Sequence, residues 1–183
     1  MMADFTQIKV TAAEFLSGPE TNKIVELINE EIIVAPSPVD PHQEAAGSLY
    51  MRLARQVKSG KWRFAPMDVY LDEANVVQPD IFWVSDDNPN CHLADGKYWR
   101  GAPDFVVEIL SPGTTRQDRH VKYALYEKHG VREYWIVDAA ELYIEVYALR
   151  DGRFERLGVF GLGEPLKSSV LGQTFNVDAL LKS

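Results

Sequence analysis

The chain has 183 residues, 46% of them hydrophobic and 25% charged, with a formal net charge of −8. That size and balance support a folded domain with a real core, and the acidity argues against broad, nonspecific nucleic-acid binding. The single cysteine, Cys91, excludes an intramolecular disulfide and lacks partners for a structural zinc site, which suits a reducing compartment.

No apolar run reaches membrane-spanning length, and residues 1–7 carry no apolar core of a secretory signal. The expectation is a cytoplasmic protein with one domain over 1–183. The charges are unevenly placed. Arg52, Arg55, Lys58, Lys61 and Arg63 lie together with no acid between them. A second basic stretch, Arg116, Arg119, His120 and Lys122, is diluted by Asp118. Both stretches are read either as solvated faces or as footholds for a polyanion.

In chain order, Thr11 to Leu16 reads as a short helix, with Thr11 as N-cap and Glu14 completing a capping box. Lys23 to Ile28 and Glu31 to Ala35 read as two strands joined by a turn at Asn29-Glu30. Pro36-Ser37-Pro38 breaks the pattern. From His42 to Lys58 the period becomes helical, with Ala46, Leu49, Leu53 and Val57 in one stripe. Val69 to Asp72 and Val76 to Val84 look like a strand pair, in which Pro79 implies an edge or a bulge. Ser85 to Ala102 reads as a long polar loop.

Asp104 to Leu110 is an apolar strand, turned by Ser111-Pro112-Gly113. A helix follows from Thr114 to His129, N-capped by Thr114 or Thr115 and closed by Gly130. Glu133 to Val137 is another buried strand. Leu142 to Leu149 and Phe154 to Val159 pair across Arg150-Asp151-Gly152, and Val177 to Leu181 is a final helical turn. This order predicts an α/β or α+β domain built on a mixed sheet.

Three residues in this frame point to chemistry. Side chains alternate across a strand, so Asp104, Val106, Glu108 and Leu110 share a face, as do Gln78 and Asp80. If those strands are neighbours, Asp80 and Glu108 converge on one ion, with the Ile109 carbonyl as a third oxygen ligand. Hard oxygen ligands suit magnesium, which keeps several waters. Lys122, on the following helix, could reach the same strand end and steady a developing negative charge. The bland alternatives are a turn aspartate and a surface ion pair between Asp118 and Lys122. Glu108 argues against them, because a lone carboxylate among Phe105, Val106, Val107, Ile109 and Leu110 is costly unless paired or metal-bound.

The segments QPDIFWV, GAPDFVVEILSPGT and DRHVKYALYEKHGVREYWIVD resemble the Uma-type family of putative restriction endonucleases, of the PD-(D/E)xK nuclease superfamily. ELINEEIIVAPSP followed by His42-Gln43 is similar to that family's opening, and the resemblance runs roughly from Thr11 to Leu149. It implies a restriction-endonuclease-like core, a central mixed sheet flanked by helices, with Asp80 as the motif aspartate and Glu108 as the second acid. The superfamily's lysine would stand at Leu110; in the Uma-type pattern it has moved to the next helix, where Lys122 matches it. Hydrolysis of DNA phosphodiesters with Mg2+ or Mn2+ follows as the expected activity, and a homodimer would suit cleavage of both strands. For a fourth acid the choices are Glu26, Glu31 and Glu44, and Glu31 is favoured because it matches a Gly-Glu pair in the family's opening. Two other readings are carried beside this one: a nuclease fold that binds nucleic acid or protein without catalysis, and a glycoside hydrolase using the same two carboxylates.

Overall fold

The computed structural model describes residues 9–19, 21, 23–36, 39–111, 113 and 115–182, and two mixed sheets of six strands each position everything that follows. The first sheet runs β2 (Glu31–Val34), β1 (Val25–Ile28), β5 (Asn75–Val77), β4 (Val69–Asp72), β8 (Tyr98–Arg100) and β7 (His92–Ala94). The second runs β12 (Arg153–Phe160), β11 (Tyr143–Arg150), β10 (Glu133–Asp138), β9 (Phe105–Ile109), β6 (Ile81–Val84) and β3 (Lys61–Phe64). Among the described residues, only the β4–β8 and β9–β10 pairs are parallel. A small hairpin, β13 (Pro165–Ser168) with β14 (Gln173–Asn176), stands apart.

The central strands of the second sheet, β6, β9 and β10, are buried on both faces. On one face Phe105, Val107 and Ile109 of β9 pack with Trp135 of β10 and with Leu49 and Leu53 of helix α2 (Asp40–Gln56). The short helix α4 (Val177–Leu181) closes that side through Val177 and Leu180. On the other face Val106, Phe82, Tyr134 and Ile136 meet Val69 and Val77 of the first sheet. Leu125 and Tyr126 of helix α3 (Tyr123–His129) complete that cluster. Leu49 and Leu53 are essentially without solvent exposure, so truncating either to alanine would cost about 2–5 kcal/mol.

Many expected elements are present. Thr11 caps α1 (Ala12–Leu16) in a capping box with Glu14. The β1–β2 turn places Asn29 and Glu30 at positive φ, the conformation a two-residue hairpin demands. Gly130 closes α3 in the left-handed region, at φ 87°. The Arg150-Asp151-Gly152 hairpin joins β11 to β12.

Four expectations need correction. The single strand expected over Val76 to Val84 is two strands, β5 in the first sheet and β6 in the second. Pro79, which has no N–H to give a ladder, marks the crossing rather than an edge. The stretch expected as a long loop contains the hairpin β7–β8, turned at Asp95 and Gly96, both at positive φ; Asp-Gly is itself a hairpin signal. Strands β3, β13 and β14 were not foreseen. Finally, the helix before Gly130 is not uniform. Gln117–Lys122 is a π-helical turn that runs directly into α3. Ser37, Pro38, Pro112 and Thr114, which carried part of the turn and cap reading, lie outside the described residues.

Candidate active site

Strands β6 and β9 are antiparallel, with Ile81 opposite Val107. One step further along that register, Asp80 stands across from Glu108. Both side chains line a cavity of about 240 Å³ whose wall also includes Glu26, His42, Gln78, Gln117, Asp118 and Lys122. Asp80, Glu108 and Lys122, singled out from separate segments of sequence, therefore share one chamber.

Lys122 reaches it because of the π-helical turn. With about one extra residue in the turn, the helix is locally widened and its phase shifts. Asp118 and Lys122 both become buried, where a regular helix would leave them flanking the apolar stripe. The expected exposed ion pair between them is absent in that form: their closest charged atoms are 4.0 Å apart and both side chains are buried. The Lys122 ammonium instead sits 2.9 Å from Glu26 Oε1 and 3.0 Å from Glu108 Oε1.

Each carboxylate is held by further donors. The Tyr126 hydroxyl donates to Glu108 Oε1 at 2.6 Å. The Gln78 backbone N–H donates to Glu26 Oε1 at 2.8 Å, and the Gln117 side-chain amide to Glu26 Oε2 at 3.1 Å. Asp80 Oδ2 accepts the Ile109 backbone N–H at 2.7 Å and lies 3.2 Å from His42 Nε2. His42 comes from the first turn of α2. Tyr134, from β10, donates to the Asp118 carbonyl at 3.1 Å, which anchors the π-helical turn to the sheet.

The electrostatics follow from four carboxylates gathered about one ammonium. Burial alone would lower the Lys122 pKa, but the combined pull of Glu108, Glu26, Asp118 and Asp80 outweighs it and holds the ammonium well above the ordinary lysine value. Glu108 is pushed well above the usual carboxylate range, first by burial and then by Asp118, Asp80 and Glu26, against the opposing charge of Lys122. The chamber thus carries more negative charge than its one lysine neutralises, and it favours a further positive charge. His42 is raised mainly by its hydrogen bond to Asp80, against the effect of burial.

Glu31, favoured from sequence as the fourth acid, is exposed at the start of β2, opposite Ile28. It is not among the residues lining the chamber. Glu26 lines it instead, 2% exposed and in contact with Lys122. Its signal was present: an acid inside the apolar run Val25–Ile28 poses the same problem of burial as Glu108 does. Glu44 is exposed on α2. Tyr126 had been read as core, and it is, yet its hydroxyl orients Glu108.

The donor set is hard oxygen. Asp80, Glu108 and the Ile109 carbonyl could together meet a divalent cation that keeps part of its water shell. Among the described residues no three His, Cys, Asp or Glu side chains form a ready metal cage, so main-chain oxygen and water would have to complete the coordination.

The same architecture occurs in a solved structure. A putative nuclease belonging to DUF820 from Anabaena variabilis superposes with a TM-score of 0.78 over 94% of this chain and 97% of that one, at 21% sequence identity. The two chains therefore share one mixed α/β fold. The model of the Uma2 family, described as putative restriction endonuclease, matches residues 12–179, and the chain belongs to that family. No curated protein matches it.

Proposed function

We propose that this chain is a metal-dependent endonuclease that hydrolyses DNA phosphodiester bonds. The observation that supports this reading best is the Lys122 ammonium, carried by a π-helical turn to within 3.0 Å of Glu108, in a chamber that Asp80 also lines. Asp80, Glu108 and the Ile109 carbonyl would hold a magnesium or manganese ion. When bound, such an ion lowers the pKa of its water and neutralises charge on the phosphate.

The remaining roles belong to the chain's own groups. Lys122, held protonated by its carboxylate neighbours, cannot serve as a general base near neutral pH. Its part is electrostatic: a fixed positive charge beside the scissile phosphate as negative charge grows on the phosphoryl oxygens. Glu26, in place of Glu31, positions that ammonium from the side opposite Glu108. Tyr126 holds one Glu108 oxygen, which fixes the carboxylate plane. His42 and the Ile109 N–H do the same for Asp80.

The test is cleavage of plasmid and single-stranded DNA with added magnesium or manganese. Cleavage lost in Asp80→Ala and Glu108→Ala supports the roles; cleavage unchanged in either variant rejects them. A second reading, a nuclease fold that binds nucleic acid without cutting it, draws on one observation. The ammonium is already matched by two carboxylates, which is also how a purely structural ion cluster is built. Salt-sensitive DNA binding with no cation binding by calorimetry would favour it.

A further inference from the structure

A second cavity, of about 290 Å³, shares His42 and Asp80 with the catalytic chamber and opens on the α2 side of it. Its walls include Phe64, Pro66, Lys23, Gln43 and Gly47. Phe64 ends the edge strand β3 and is 54% exposed. It is not loosely placed. The backbone of the next residue, Ala65, donates to the Asp80 carbonyl at 3.0 Å, and its ring meets Tyr50 edge-on at 4.7 Å. An aromatic face is thus fixed one ladder position from Asp80 and left open to solvent.

Gly47 adds a second, independent observation. It sits in the interior of α2, where glycine is the poorest ordinary residue for a helix. A Cβ at that position would meet nothing within 4 Å. No close packing demands a glycine there; its missing side chain leaves open the space that Phe64 faces.

We propose that this cavity receives an unpaired nucleobase of the DNA strand, stacked on Phe64, with the attached phosphate directed into the catalytic chamber. The inference rests on the nuclease reading above and adds the substrate class: single-stranded, flapped or locally unpaired DNA rather than intact duplex. The net charge of −8 limits how much affinity can come from phosphate contacts alone. Base stacking is sequence-tolerant and does not depend on net charge. Lys23, on the cavity wall, supplies local positive charge for the backbone. A duplex keeps its bases stacked within the helix, so it offers no free base to Phe64.

The test uses a single-stranded oligonucleotide carrying 2-aminopurine and the full chain, with Glu108→Gln as the background that does not cleave. Glu108 does not line this cavity. Fluorescence should change on binding, and a blunt duplex should compete poorly. Phe64→Ala should weaken single-strand binding about 5- to 150-fold, the loss of one base–aromatic stack. Gly47→Leu fills the open space with a better helix former; its melting temperature should not fall, while its single-strand binding should. That combination separates an occupied cavity from a merely structural one. Equal affinity of wild type, Phe64→Ala and Gly47→Leu for the oligonucleotide would overturn the proposal. So would a change of oligomeric state in Phe64→Ala with binding intact, which would make the exposed ring a contact with a second copy. Failure of the catalytic reading is distinguishable, because it would appear as wild-type protein that binds the probe yet never cuts with a divalent cation.

Discussion

Replacing Lys122 by methionine is the sharpest perturbation of the buried charge cluster. Methionine keeps much of the stem's volume and removes the ammonium. Glu26 and Glu108, now 2.9 and 3.0 Å from Nζ, are left facing each other in a chamber where both are nearly inaccessible to solvent. Removing one partner of a buried ion pair costs about 3–5 kcal/mol, chiefly as the desolvation of the charge left behind. In a chain of this length each kcal/mol moves the melting temperature by about 2–4 °C, so a fall of about 6–20 °C is expected at neutral pH. Urea unfolding at pH 7 should show a lower midpoint with an unchanged slope. The sign of the pH effect is fixed. Without the ammonium the folded-state pKa of Glu108 rises further above the unfolded glutamate value of 4.5. Protons then favour the folded variant, so the deficit should shrink as pH falls towards about 4.5. The double variant Lys122→Met with Glu108→Gln should lose less than the sum of the two single changes. A Lys122→Met midpoint within about 0.5 kcal/mol of wild type at pH 7 would refute the buried cluster, because such a small effect belongs to surface substitutions.

Further outcomes follow from individual residues. In metal-free protein, Glu108→Gln should gain stability relative to wild type as pH rises from about 5 to about 8. The wild-type carboxyl has a raised folded pKa, so the stability its proton contributes is present below 4.5 and is lost as pH rises through the folded value; parallel denaturation series read the difference. Glu133 accepts from Trp135 Nε1 and from the backbone N–H groups of Ser169 and Val170. Glu133→Ala should therefore cost about 3 kcal/mol by leaving buried donors unpaired, seen in chemical denaturation. Cys91 is buried and its thiol is pushed up to about 12, first by burial and then by Asp104. Native protein should resist iodoacetamide at pH 8 while urea-unfolded protein reacts readily, as mass spectrometry would report.

How much of this was legible in sequence depends on which physical rule governed each residue. Hairpin turns, helix caps and the α2 stripe follow local rules, and Asn29-Glu30, Thr11 with Glu14, and Leu49 with Leu53 could be placed from their neighbours alone. The pairing of β6 with β9 is nonlocal. It became readable only because Glu108, a lone carboxylate in an apolar run, posed a problem of buried charge that a cation shared with Asp80, or Lys122, would solve. The crossing at Pro79 was misread because a break in a strand and a change of sheet leave the same trace in sequence. The π-helical turn has no periodic signature in six residues, so the joint burial of Asp118 and Lys122 does not follow from a helical period. Glu26 stands in the apolar run Val25–Ile28, so the burial cost that singles out Glu108 marks it as well, whereas Glu31 at the exposed start of β2 carries no such signal.

The most direct measurement is the rate of plasmid and single-stranded DNA cleavage by wild-type protein with and without magnesium or manganese, beside Glu108→Ala. Cation-dependent cleavage that disappears in the variant is predicted; wild-type cleavage that persists in excess EDTA, or that survives the loss of Glu108, would contradict it.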